Sequence, residues 1–577
     1  MLPFPSCVFG SMRSAGRSGS PELQHPHSVF FGPCFLVDAS SDTPVSETVT
    51  EKVAVGTPSR TGRQKGLRAL GFGIGGTVIA GFLYLVYGYV FSNGLCCADD
   101  AYIAVAAKNL ALGDGYAASA SPGGPGLRLF DPFLSTGPTL VLPAAAIIRV
   151  FGATPWAPGL TTALATTSLL ALIALTLGRW VGWLRTVWYV AVMLALMYTL
   201  TAGPRFVHWY SLLGEVPAVM FTTLGVALFV WRPGKRRLVA WSFLAFGLAF
   251  MTKNLALLGV IPVAIWLLVS LLRSGGRDAR KWTDLAVGAV CFSLPFLAFE
   301  AWKVTSLGIT GYLSNWDEFK KFLSHTGGTA VGGQADSSLW GHVVKNSENL
   351  HTTYGFGKFE LLLVLVAVGA LVHFYTDHKT RKFCWLLMAA GATHITWYVM
   401  SSTGNPRYAL IGLLLLAASI ACVVLARPPA VAIAAAVAVV TIGAIPAHSA
   451  LEGPVTAAVH GSLFHSNQRV TNLEATALFL TKVKHKDPLV GGWWATIGEV
   501  EYMLPTVSNF VTTQDVPTAQ MHDGRLLVRN RVWSHMASSP DFRKWERTCH
   551  EVLLDAAPYL VTRCPHDGAS DQPTPAK

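Results

Sequence analysis

The sequence predicts a mainly α-helical, polytopic membrane protein, and three observations carry that expectation. Of its 577 residues, 52% are hydrophobic and 13% charged, with a mean hydropathy of +0.44, whereas soluble proteins carry about a quarter charged residues. Apolar stretches of about twenty residues, each long enough to cross the hydrocarbon layer as a helix, recur from residue 69 to residue 447. The basic residues gather in short loops between these stretches, a pattern that orients a chain in a bilayer. The net charge of +12 is accounted for in this way, and no nucleic-acid partner is expected.

Residues 1–67 are rich in Ser, Gly, Pro and Thr and have no apolar run beside a charged start, so a disordered cytoplasmic tail is expected there. The first span, about 69–91, follows Arg60, Arg63, Lys65 and Arg68, which places the N-terminus inside and residue 92 outside. The basic loops 179–185, 232–237, 273–281 and 379–382, together with Arg427, fall on the inner side only if Thr136–Gly152 does not cross. That segment holds Pro138, Pro143 and Arg149, and it reads as a helix lying along the outer surface. The further spans are then about 157–178, 186–203, 216–231, 238–252, 254–272, 283–303, 356–375, 383–401, 408–426 and 429–447. With the first they make about eleven.

The transmembrane domain is therefore expected over 68–447, with outer loops 92–156 and 304–355, and residues 448–577 as a small soluble α/β domain outside. The nine cysteines have no metal-type spacing. Cys96 and Cys97 are adjacent, and Cys291, Cys384 and Cys422 lie in apolar stretches. Cys549 and Cys564 are the disulfide candidate, provided that the C-terminal part lies outside the cytosol.

The unusual polar residues collect on the outer side. Asp99 and Asp100 open a helix directly after the first span. One acid suffices to cap a helix N-terminus, while a carboxylate at the membrane face can act as general base toward a hydroxyl or hold a divalent cation. Glu215 follows the turn Arg205-Phe206-Val207-His208-Trp209-Tyr210 at the start of an apolar stretch, where an acid is costly unless paired or used. It is a candidate second acidic site, with His208 either beside it or simply packed. Lys253, in Met251-Thr252-Lys253-Asn254, and Arg407, in Gly404-Asn405-Pro406-Arg407-Tyr408, are basic residues on the face that the positive-inside rule depletes. They ask for an anion, and a lipid phosphate would supply one. Asp131, in Phe130-Asp131-Pro132-Phe133, is an acceptor-side candidate or a turn residue.

This ordered set resembles the GT-C class of glycosyltransferases, most closely its branch of aminoarabinose transferases and protein O-mannosyltransferases. The likeness covers about residues 69–427: the acidic pair Asp99-Asp100, the surface helix ending in Phe151-Gly152, Glu215, Met251-Thr252-Lys253, and Arg407-Tyr408. It departs where relatives more often have Asp-Glu, and where they have a basic residue before Pro-Pro or Pro-Ile instead of Asp131-Pro132-Phe133. The Trp493-Trp494 pair lacks the Asp that oligosaccharyltransferases carry next, Ala495 standing there.

The resemblance implies an inverting transfer of sugar from a polyprenyl-monophosphate donor to a hydroxyl of a lipid, glycan or protein. Asp99 or Asp100 becomes the catalytic base, and Lys253, Arg407 and Tyr408 the donor-phosphate site. No cofactor is required, although a divalent metal at Asp99, Asp100 and Glu215 is allowed. The alternatives are a transferase of oligosaccharide blocks from a pyrophosphate-linked donor and a membrane transporter, which would carry its ionisable residues mid-span. The absence of an Asn-x-Ser/Thr sequon favours a bacterial inner membrane, with the site facing the periplasm.

Overall fold

The computed structural model describes residues 62–121, 124–231, 235–274, 278–325, 339–355, 358–426, 464–483, 489–491, 494–505, 510–512, 526–531 and 546–564. The first helix, α1 (Gly62–Asn93), begins inside the stretch expected to be a tail and is followed by α2 (Ala98–Leu112). A short antiparallel hairpin, β1 (Ala117–Ser121) and β2 (Gly124–Leu129), comes next. The segment 136–152 forms a separate helix, α3 (Pro138–Phe151). Proline fits the first turn of α3 because no helical partner exists there for its missing N–H. One side of α3 is buried through Leu140, Val141, Ala144 and Ile148, while Val150 and Phe151 at its end are exposed.

The bundle continues with α4 (Ala157–Val181), α5 (Trp183–Thr201), α6 (Glu215–Trp231), α7 (Arg236–Thr252) and α8 (Leu257–Arg273). Then come α9 (Ala279–His325), α10 (Leu339–Tyr354), α11 (Lys358–Tyr375), α12 (His378–Ser401) and α13 (Leu410–Ile420). Among the described residues, seven helices are long and apolar enough to cross a membrane, and the chain is a multi-pass membrane protein. Helix α6 is buried almost all round, from Val216 to Val230, which marks it as the centre of the bundle. Tyr189, Trp209, Phe246 and Phe383 are among the largest side chains enclosed in the interior.

Within the expected outer loop 304–355, the described residues 304–325 and 339–354 are helical. Helix α9 departs from helical geometry at Gly308 and then resumes to His325, and α10 follows. The expected span 429–447 lies outside the described residues, as does most of the expected tail.

The C-terminal part holds α14 (Gln468–Lys482), α15 (Trp494–Met503) and a five-stranded sheet of order β4-β3-β5-β7-β6. Its strands are β3 (Leu489–Gly491), β4 (Phe510–Thr512), β5 (Leu526–Asn530), β6 (Glu551–Ala556) and β7 (Tyr559–Arg563). The first three run parallel and the last two pair antiparallel, so this part is a small mixed α/β unit. Cys549 and Cys564 are joined by a disulfide.

This unit docks on the end of α1 and on α2. Arg469 of α14 donates to the carbonyls of Asn93 and Leu95 at the end of α1 and to Glu499 of α15 at 2.7 Å. The Tyr502 hydroxyl donates to the Thr154 carbonyl at 2.9 Å. Lys108 of α2, with only 1% of its side chain exposed, donates to the Glu501 carbonyl at 2.6 Å and lies 3.5 Å from the Glu501 carboxylate. Ser119 donates to the same carboxylate at 2.8 Å. Helix α2 is therefore held between the bundle and α15.

Candidate active site

Four charged side chains from four separate turns meet at one end of the bundle. Asp99 comes from the first turn of α2, Glu215 from the first residue of α6, Lys253 from the residue that ends α7, and Arg407 from the turn before α13. Helix termini place all four there, where side chains leave the apolar layer without breaking a helix.

Arg407 is the hub. Its Nε donates to Glu215 at 2.7 Å, and its Nη1 donates to Asp99 at 2.5 Å. Glu215, 2% exposed, also receives the Lys253 ammonium at 3.4 Å and faces His208 Nδ1 at 3.2 Å. The Lys253 ammonium donates in turn to the Leu213 carbonyl at 3.0 Å and the Ser135 hydroxyl at 3.3 Å. Two carboxylates and two cations form one network, with His208 packed at its back. Burial lowers the Lys253 ammonium to about 8, and Glu215 opposes that shift.

The backbone around these residues is shaped for close approach. Gly137 donates its N–H to Thr252 at 3.2 Å, and a side chain there would overlap the Met251 carbonyl, so only glycine lets the Ser135 turn reach the end of α7. Gly404 has φ of +88° and lies where a side chain would strike Asn346. Asn346 of α10 donates to the carbonyls of Tyr398 and Ser402, and Asn349 donates to Gly404 at 2.9 Å. The Tyr354 hydroxyl donates to Pro406 at 3.0 Å. Helix α10 thus fixes the turn that carries Arg407. Sequence reasoning missed Asn346, Asn349 and Tyr354, for which the one available signal was two asparagines three apart on a helix.

The two aspartates occupy different environments. Asp100 is 1% exposed, and each of its oxygens accepts a backbone N–H, from Cys96 at 2.9 Å and from Leu212 at 2.7 Å. Burial raises its carboxyl from 3.8 to about 6, against the two N–H donors that favour the charged form. The Asp99 side chain is 43% exposed and accepts from Arg407. Cys96 and Cys97 lie side by side just before the acidic pair.

Of the remaining candidates, Tyr408 is half-buried against the main apolar cluster beside Arg407. Asp131 does not join the charged network. It accepts from the Tyr102 hydroxyl at 2.6 Å and from the Phe133 N–H at 2.9 Å, which closes its own turn. Among the described residues no three His, Cys, Asp or Glu side chains converge as metal ligands. Arg407 stands between Asp99 and Glu215, and Asp100 faces the backbone of Cys96 and Leu212. Cys549 and Cys564 lie in the C-terminal unit, at its sheet.

No protein-family model matches the chain, and no curated protein sequence matches it. Among solved structures it is similar to ArnT from Cupriavidus metallidurans bound to undecaprenyl phosphate, with a TM-score of 0.54 and 15% identity over 85% of this chain and 98% of that one. The apo state of the same protein matches with a TM-score of 0.53 and 14% identity over 88% and 100% of the two chains. An oligosaccharyltransferase from Archaeoglobus fulgidus in complex with zinc and sulfate matches with a TM-score of 0.40 and 10% identity, over 85% and 73%.

Proposed function

The chain has the GT-C glycosyltransferase fold, and from that premise we propose that it is an inverting glycosyltransferase using a polyprenyl-monophosphate sugar donor. The observation that carries the reading is the meeting of Arg407 and Lys253 beside a solvent-reachable carboxylate, Asp99, where helix ends leave the apolar layer. An ammonium and a planar guanidinium together suit a lipid phosphate whose polyprenyl tail stays in the membrane. The ArnT neighbour bound to undecaprenyl phosphate supports a donor of this kind.

In this reading Arg407 and Lys253 hold the donor phosphate, with Tyr408 at the edge of the site. The acceptor hydroxyl gives its proton to the Asp99 carboxylate as its oxygen bonds to the anomeric carbon. The bond from that carbon to the phosphate oxygen breaks, and the electron pair goes to the phosphate. The growing charge there meets two cations already in position, which favours the transition state over the bound donor. Attack from the face opposite the phosphate inverts the anomeric centre.

Asp100 is assigned a positioning role, since its oxygens are both taken by backbone N–H groups and water does not reach it. Glu215 and His208 orient the cations, and Asp131 shapes the neighbouring turn. The acceptor is a hydroxyl of a lipid, glycan or protein. With Lys253 and Arg407 present the scheme requires no metal. The site is assigned to the outer face of a bacterial cell membrane, where the disulfide Cys549–Cys564 is stable.

The test is incubation of the purified protein with a panel of polyprenyl-phosphate sugars and mass spectrometry of the products. Asp99→Asn is expected to lower transfer by about 10²–10⁴-fold, the contribution of a general base, with unchanged thermal stability. Full activity of this variant removes Asp99 from the chemistry.

A further inference from the structure

The charged network leaves its proposed base occupied. Asp99 is bound by Arg407 Nη1, and a carboxylate held in a charge-assisted hydrogen bond is a poorer proton acceptor than a free one. We propose that Asp99 and Arg407 form a latch that the donor phosphate opens, so that the base becomes available only when donor is in place. This inference rests on the donor reading given above.

The geometry of the guanidinium carries the argument. Nε points to Glu215, and the outer fork of the group, Nη1 with Nη2, is used on one arm only. Nη2 is buried and has no hydrogen-bond partner among the described residues. A buried donor without an acceptor is costly, and a phosphate has two oxygens spaced for both arms of such a fork. A phosphate on the outer fork satisfies Nη2 and takes Nη1 from Asp99, replacing a one-point contact by a two-point one.

The surroundings decide which acid yields. Glu215 is 2% exposed and is also met by Lys253 and His208, so releasing it would strand a buried charge. Asp99 is 43% exposed, and water takes up its charge once it is freed. Arg407 therefore turns about its bond to Glu215 and lets go of Asp99. Lys253, 7% exposed at the same carboxylate, reinforces that pivot and supplies the second contact to the phosphate. The order of events follows: the donor binds first, and an acceptor hydroxyl reaching the site without donor meets a masked carboxylate.

The experiment is carboxylate labelling of the purified full-length protein with a water-soluble carbodiimide and an amine, read at Asp99 by peptide mass spectrometry. Undecaprenyl phosphate is the probe, and its binding is followed separately by native mass spectrometry. Labelling of Asp99 is expected to rise several-fold on addition of undecaprenyl phosphate and to stay unchanged with undecaprenol, which has the chain but no phosphate. Arg407→Lys, which keeps the charge and loses the fork, is expected to label at Asp99 to the high level with or without the lipid. Binding of undecaprenyl phosphate with Asp99 still protected overturns the latch and leaves the donor reading standing. An equal rise with undecaprenol, or a protected Asp99 in Arg407→Lys, also overturns it. Failure of undecaprenyl phosphate to bind overturns the donor reading and the latch with it.

Discussion

Replacing Lys108 by methionine removes one charge of a buried pair while keeping the side chain about as long. The side chains of Lys108 and Glu501 are 1% and 0% exposed, and the ammonium also serves the carbonyls of Glu501 and Leu504 at the end of α15. Taking away one member of such a pair leaves the other as an uncompensated buried charge, at a cost of about 3–5 kcal/mol. Glu501 keeps the Ser119 hydroxyl at 2.8 Å, which places the expected loss toward the lower end, about 3 kcal/mol. Glu501→Gln leaves Lys108 its carbonyl acceptors, so this variant is expected to lose only about 1–2 kcal/mol. The double variant strands neither charge. It is expected to be about 2 kcal/mol more stable than Lys108→Met alone, which with the two single losses makes a coupling of about 3–4 kcal/mol, at the upper end for residues in contact. Unfolding in mixed micelles, followed by tryptophan fluorescence, measures all four proteins. Equal stability of Lys108→Met and the double variant would refute the pairing as the reason Lys108 is buried.

Three further outcomes follow from the same geometry. Because the Asp100 carboxyl moves from 3.8 unfolded to about 6 folded, folding favours its protonated form, and its contribution to stability falls as pH rises from about 4 to 6. The stability of wild type relative to Asp100→Asn is therefore expected to drop by about 2 kcal/mol between pH 4 and pH 7, and parallel thermal profiles would contradict the burial of that charge. Lys253 titrates at about 8 and must be protonated to hold phosphate, so binding of undecaprenyl phosphate is expected to weaken as pH rises from 7 to 9, and Lys253→Met to lose that dependence; a flat binding profile in wild type removes Lys253 from the donor site. Cys549→Ser opens a disulfide that spans 15 positions, worth about 3 kcal/mol, and should show as faster limited proteolysis of the C-terminal unit; unchanged cleavage would mean that the sheet does not depend on the bond.

The site was legible where a residue type contradicts its setting. Glu215, Lys253 and Arg407 are charges at the ends of apolar stretches, and loop charge alone assigned them to one face. Their meeting on a single guanidinium was not legible, because the partners are 192 and 308 positions apart and no local pattern encodes such pairings. Which aspartate lies inside was equally hidden. Helix α2 is buried on nearly every side from Asp100 to Asn109, so it shows no apolar stripe from which to read an orientation, and the N–H that holds Asp100 belongs to Leu212, 112 positions away. The helices within 304–355 were not legible, because the polar composition of that run hides a helix that restarts after Gly308. Lys108 passed as one more polar residue of the first loop helix, since its partner lies 393 positions further on.

That last distance bears on how the molecule is made. A ribosome completes α2 long before it reaches α15, and until then the helix that carries Asp99 has Lys108 with its acceptors unsynthesised and Ala101 without Gly498 to cover it. The helix that carries Asp99 is thus translated well before the segment that it packs against. A chain cut short between Tyr408 and α15 contains every charged residue of the site and still lacks the surface against which α2 settles. The packing of α2 therefore waits on the translation of α15.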